Sequence, residues 1–293
     1  MSNPEPTIRV NVDLTNPGQF FACCGLLELA SRIDPNSAAR FENGQFLING
    51  DVRSFLDAFF KCYVTVDASI TSTNDATAED EDDLADENNE VDSHRGRIYP
   101  MKLQEPFNLR LDWWINEEAQ RQKLKTWTAG QRVTDLLLGY HKKHKRKDKT
   151  ELVSIPSMRE HFAEAVKRCP QDWLREPVPI EVPMSFSYDS RLSRNNALDQ
   201  GHVGNSIMTF SPAIDVLTLV GLQRFRPRML ELWTRNLYCT WSQPLTVEIA
   251  AVTALGLIPQ LIVSCFEFPI KPRDAQGRYK LFGHAQPVRR PHA

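Results

Sequence analysis

The side chains best able to do chemistry in this chain are basic, and they are bunched. The stretch "HKKHKRKDK", residues 141 to 149, holds six lysines and arginines: Lys142, Lys143, Lys145, Arg146, Lys147 and Lys149. Cations at that density neutralise phosphates, each contact adding a salt-dependent increment of affinity. A solvated, partnerless linker is the plain alternative. Upstream, "KTWTAGQR" sets Lys125 and Arg132 on either side of Trp127. That layout pairs a stacking aromatic with phosphate donors if the indole is exposed, and is a core tryptophan with surface charges if it is not. Downstream, "FSYDSRLSRNN" offers Tyr188, Arg191, Arg194, Asn195 and Asn196. Such a polar loop can follow a nucleic-acid backbone or hydrogen-bond to itself. "RFRPR" adds Arg224, Arg226 and Arg228.

Other chemistries lack their residues. His141 and His144 stand three apart, as two ligands on one helical face would, but six neighbouring cations would repel a metal ion. Cys23 and Cys24 are adjacent, and adjacent helical side chains diverge by about 100°, so they read as small buried hydrophobes. The six cysteines, Cys23, Cys24, Cys62, Cys169, Cys239 and Cys265, contain no C-x-x-C pair. There is no phosphate-binding Walker loop, nucleophile elbow, H-E-x-x-H or dinucleotide fingerprint. No catalytic residue, metal site or cofactor is expected. An RNase needs only a few positioned groups, which keeps His202 and His284 as conceivable general bases.

The net charge conceals an asymmetry. Over the 293 residues, 35 basic and 37 acidic side chains give −2. Ten of the acidic ones crowd into residues 74 to 92 without one Lys or Arg, leaving 27 elsewhere and a balance of +8. A like-charged block poor in apolar residues cannot offset its ordering entropy, so residues 67–96 are expected to be a disordered acidic insertion. The basic remainder suits a nucleic-acid partner.

The elements that must position these groups follow from periodicity and caps. "TIRVNVDL" alternates as a half-buried strand. Asn16 and Pro17 then suit the N-cap and first position of a helix, with Gln19 placed for a capping box. Within that helix Gly18, Ala22 and Gly25 form a smooth stripe for close packing, and Phe20, Cys24 and Leu27 a bulky one. Asn43-Gly44 predicts a type I′ hairpin, and "DVRSFLDAFFKCY" a second helix. "FNLRLDWW" reads as a strand, and residues 116 to 145 as an interrupted helical region ending in the basic run. A helix near 157–168 follows. Ser211 and Pro212 start another, with Gly221 nine residues after its proline, as Gly25 is eight after Pro17. The parallel reads as two independent caps more readily than as a duplication. "VEIAAVTALGL" predicts a helix, and "LIVSCFEFPI" with "RYKLFGHAQPV" a terminal hairpin. The class is α+β, with mixed helices and mostly antiparallel strands. Residues 1–66 form its N-terminal part and 97–293 the remainder of the same globular unit, with a basic loop near 141–149. The longest apolar runs are far short of the ~20 residues of a membrane span, so no membrane contact and a cytoplasmic location are expected.

Taken together, "NPGQFFACCGLLELASR" after a short strand, "KTWTAGQ", "YDSR" followed by "LDQG", and "PAIDVLTLVGLQRFRP" resemble a CRISPR-associated family. It is the small version of the Cascade large subunit, the Cas-eight role, of type I-U (also called type I-G) systems. The match spans most of the chain outside the acidic insertion, and departs at Thr128, an extra residue in the usual "KTWAGQ". The resemblance implies a non-catalytic subunit of an RNA-guided surveillance complex. Such a subunit helps recognise the protospacer-adjacent motif in target double-stranded DNA, stabilises the R-loop and recruits the helicase-nuclease. Its partners would be the other Cascade subunits, the CRISPR guide RNA and the target. Lys125, Arg132, Lys142, Lys143, Lys145, Arg146, Arg191, Arg194 and Asn195 are the candidate nucleic-acid contacts. The alternatives are a guide-RNA-processing endonuclease, a RAMP-type backbone subunit of the same complex, and a protein-binding scaffold.

Overall fold

The computed structural model describes residues 5–50, 54–67, 100–116, 121–127, 133–146, 149–180, 186–191, 208–231, 234–272 and 280–289. Helices and antiparallel strands alternate along the chain, which is an α+β fold. Strand β1 (Ile8–Asn11) leads into α1 (Pro17–Ile33), then the hairpin β2 (Ala38–Glu42) and β3 (Gln45–Asn49). Asn43 and Gly44 both take positive φ, 50° and 73°, as the two central residues of a type I′ turn must. Next come α2 (Phe55–Lys61) and the small sheet β4 (Val64–Val66), β5 (Met101–Leu103), β6 (Leu109–Leu111). The Asp67 amide donates to the Pro100 carbonyl at 2.9 Å, so the β4–β5 ladder closes where the chain leaves and re-enters the described residues. The expected acidic insertion, apart from Asp67, lies outside them.

Helix α3 (Val133–Leu138) is short, and the sequence reading fails here. Instead of continuing as helix, the chain turns at Gly139, whose φ is 71°, into β7 (Tyr140–Arg146), paired with β8 (Lys149–Ile155). A Cβ at Gly139 would lie 2.6 Å from the Ile155 carbonyl oxygen, so the stop is specific for glycine. The expected basic loop is therefore a β-hairpin. Its far strand, "KTELVSI", supplies the β-branched residues that a helix reading overlooked.

Helix α4 (Met158–Arg168) opens on a complete Ser157/Glu160 capping box. The remaining elements are β9 (Val178–Ile180), β10 (Met208–Phe210), α5 (Pro212–Gly221), β11 (Arg228–Glu231), β12 (Arg235–Trp241), β13 (Leu245–Thr246), α6 (Val247–Ala254), β14 (Ile262–Phe268), β15 (Ile270–Pro272), β16 (Lys280–Phe282) and β17 (Gln286–Val288). Sheet orders are β1-β3-β2-β13 and β11-β12-β14-β17, with two-stranded pairs β9/β10 and β15/β16.

Helices α1 and α5 form the centre. Every residue of α5 is buried, as is α1 from Pro17 to Ala30. Their axes run in the same direction, with Gly18 beside Ile214 at one end and Gly25 beside Gly221 at the other. On its other flank α1 packs on both four-stranded sheets. The Phe20 ring stacks on Tyr238 of β12 at 4.3 Å and on Phe41 of β2 at 5.5 Å, and the Trp241 indole donates to the Ala39 carbonyl at 2.7 Å. The smooth stripe does what its residues allow, since Gly18 lies against the Tyr188 carbonyl and Gly25 against that of Leu217.

Candidate nucleic-acid interface

The β7–β8 ribbon carries the charge run. Register pairs Lys142 with Val153, Lys143 with Leu152, His144 with Glu151, Lys145 with Thr150 and Arg146 with Lys149. Successive strand positions alternate faces, so positions 141, 143 and 145 share one face and 142, 144 and 146 the other. Basic positions thus occupy both. Leu152 and Val153, on opposite faces of β8, are 65% and 39% exposed. Tyr140 and Ile155, at the ribbon's base, pack against the core. Each strand has seven residues, a length of about 23 Å. His141 and His144 fall on opposite faces, which removes the helical geometry for shared metal binding. Among the described residues no group of three or more His, Cys, Asp or Glu could hold a metal ion.

A second basic group forms around residues 122–127. Trp127 is buried against Trp113, Trp114 and Phe186, so it is core and offers no face for a base to stack on. Lys125, half-buried, sits 6.0 Å above the Trp127 ring. Thr126 ties the segment down: its hydroxyl donates to the Phe186 carbonyl, and its own carbonyl accepts from the Lys280 amide at 3.2 Å. Burial, then the nearby Lys123 charge, lowers the Lys280 ammonium pKa. The sequence reading missed Lys123 and Lys280, which are 157 positions apart and carry no local signal of their meeting. Arg132, Arg194 and Asn195 lie outside the described residues, as does His202.

Arg191 has an internal task. Asp189, 3% exposed, sits where the N-termini of α1 and α5 converge. Its carboxylate accepts from Asn16 Nδ2 at 2.7 Å, Ser211 Oγ at 2.6 Å, and Arg191 Nε and Nη2 at 3.1 and 2.7 Å. Burial disfavours the charged form, yet the bonds and charge of Arg191 and the bonds from Ser211 and Asn16 outweigh it and hold the carboxyl below its ordinary pKa. The guanidinium also donates to the Arg175 carbonyl at 3.2 Å. Gln19 does not complete a capping box at Asn16, for its side-chain oxygen accepts from the Asp13 amide at 2.8 Å. Ser211 likewise spends its hydroxyl on Asp189 rather than on its own helix.

Arg224 is similarly engaged. Glu28, 1% exposed on α1, accepts from Arg32 at 2.7 Å and Arg224 at 2.5 Å. His284 is exposed, and its Nδ1 lies 3.2 Å from the buried Ser190 hydroxyl. No helix among the described residues is long and apolar enough to cross a membrane. The structure thus brings Lys123 near Lys280 and sets the basic run on one ribbon, while Arg191 belongs to the scaffold. No protein-family model, curated protein or solved structure matches the chain.

Proposed function

We propose that the chain is a non-catalytic, nucleic-acid-binding subunit of a cytoplasmic CRISPR type I-U (type I-G) surveillance complex, where it helps engage target DNA, hold the R-loop and recruit the helicase-nuclease. The observation that carries the reading is the β7–β8 ribbon, a paired hairpin that contains the basic run. Its alternating register gives basic positions to both of its faces, and Tyr140 and Ile155 at its base pack against the core. A two-stranded ribbon is one of the shapes a DNA major groove admits, and lysines along it track phosphates without reading bases. The nearby charges of Lys123 and Lys280 add a second basic position. The +8 balance outside the acidic tract favours the same class of partner.

The test is reconstitution. The chain, co-expressed with the other subunits and guide RNA of such a system, should co-purify with the RNA and strengthen duplex-DNA binding with a steep salt dependence. A complex that forms with guide RNA and binds target equally well without this chain would sink the proposal. Metal-independent cleavage of repeat RNA by the purified protein, abolished by His284→Ala, would instead support the endonuclease reading.

A further inference from the structure

Two cysteines meet across a sheet. Cys239 of β12 and Cys265 of β14 are direct partners in the antiparallel register, and their Sγ atoms lie 2.9 Å apart although the residues are 26 positions apart in the chain. Side chains alternate faces along a strand. Tyr238 and Phe266, themselves partners, stack at 5.5 Å on the face where Tyr238 meets Phe20 of α1, so Cys239 and Cys265 share the other face. There, with Leu237 and Ile262, they make a small apolar cluster separate from the main core. Cys23 and Cys24 are neighbours too, but adjacent helical side chains diverge by about 100°. Direct cross-strand partners have Cα atoms about 4.5–5.5 Å apart, inside the roughly 4.4–6.8 Å that a disulfide spans. The backbone therefore need not move for these two sulfurs to bond.

We infer that Cys239 and Cys265 form an oxidation site, a dithiol that a peroxide converts to an intramolecular disulfide joining β12 to β14. The inference goes beyond the proposed function and does not depend on it. One sulfur, as the thiolate, attacks a peroxide oxygen and the O–O bond breaks; the departing hydroxide takes the proton that the thiol gave up, leaving water and a sulfenic acid. The second sulfur attacks the first, the S–O bond breaks, and another water leaves with the second thiol's proton. Two thiols are oxidised and one peroxide becomes two waters. Access runs beneath the edge strand β17, whose Val288 pairs with Cys265 and packs on the cluster. That strand has three residues, and its central Pro287 has no amide to give to the ladder, so it opens at low cost. A peroxide, little larger than water, needs a smaller opening than an alkylating reagent does. Burial and then Cys265 raise the pKa of the Cys239 thiol, which keeps the resting pair protonated and slow to react. In a reducing compartment it stays as thiols. Once formed, the bond fixes the strand whose Tyr238 and Trp241 rings meet Phe20 of α1.

In the experiment the reduced full chain is treated with hydrogen peroxide without denaturant, alkylated, and digested without reductant. The expected product is one pair of peptides joined through Cys239 and Cys265, two hydrogens lighter than the free thiols. Because the bond closes a loop spanning 26 positions, the thermal midpoint should rise by at least about 5 °C and return with dithiothreitol. Cys265→Ala should remove both the linked peptides and the peroxide-dependent rise; should it not fold, the wild-type peptide map decides alone. Free thiols at both positions, after peroxide has oxidised the half-exposed Cys169, overturn the inference. So does a link to any other cysteine, a link between two chains, a link that forms only in denaturant, or a linked protein whose midpoint does not rise.

Discussion

Gly25 and Gly221 face each other where α1 and α5 cross: a Cβ on Gly25 would lie 3.0 Å from the Gly221 nitrogen, and one on Gly221 would lie 2.9 Å from that of Gly25. Each would also meet a carbonyl oxygen, of Leu217 at 2.0 Å or of Phe21 at 2.1 Å. Backbone cannot swing aside as a flexible side chain can. Gly25→Ala and Gly221→Ala should each destabilise the protein by ~1–3 kcal/mol through overpacking. The double variant should lose less than the sum, because the first methyl already forces the helices apart. Thermal unfolding of the three proteins checks this; a midpoint unchanged in either single variant would refute the close crossing.

The Asp189 site makes stability depend on acid. A carboxyl whose folded pKa lies below its unfolded value of about 3.9 contributes stability that is present above that value and lost as pH falls through the folded one. Wild type should therefore lose stability below about pH 4. Asp189→Asn should show less of that loss and start lower, by ~1–3 kcal/mol, because Arg191, a third exposed, loses its counter-charge and the bonds to Asn16 and Ser211 weaken. Denaturant melts from pH 7 to pH 2 give both readings.

Glu28 holds two guanidinium groups while itself buried. Glu28→Gln should cost on the order of 3 kcal/mol, since both arginines lose their counter-charge. Arg224→Ala should cost less, because Arg32 still pairs with the carboxylate. A double-mutant cycle on Glu28 and Arg224 should return a coupling of ~0.5–3 kcal/mol.

Reversing charge at Lys142, Lys143 and Lys145 together should weaken DNA binding and reduce the slope of log affinity against log salt by roughly 2–3, at about 0.9 per lost phosphate contact. The circular dichroism spectrum and thermal midpoint should not change, because Tyr140 and Ile155, which pack the ribbon's base on the core, are untouched. An unaltered salt slope would remove the ribbon from the interface.

Thiol labelling tests the cysteine reading. Burial pushes the Cys23 and Cys24 thiols well above their ordinary pKa. Cys239, whose Sγ lies 2.9 Å from that of its cross-strand partner Cys265, is raised by burial and then by that neighbour. In the native protein Cys169, the half-exposed one, should react with iodoacetamide first. Cys23, Cys24, Cys239 and Cys265 should react only after unfolding, as peptide mapping would record.

The features legible along the chain are those fixed within a few neighbouring residues. Asn16 and Pro17 start α1, Asn43-Gly44 makes the β2–β3 turn, and alternation marks β1, because caps, left-handed turn positions and strand faces depend on local backbone geometry. The α+β class followed from the order of such elements. Gly139 is a helix stop of the same local kind, but the basic run after it, "YHKKHKR", holds no β-branched residue to mark a strand. Tertiary structure alone decided partners. Whether Trp127 is exposed depends on Trp113, Trp114 and Phe186; whether Arg191 is available depends on Asp189, which Asn16 and Ser211 help to bury from 173 and 22 positions away. Lys123 comes near Lys280 across 157 positions, where the Lys280 amide donates to the Thr126 carbonyl. Desolvation and ion pairing are set by what the folded chain brings close, and a distance in space between remote residues is not written in the spacing of either one's neighbours.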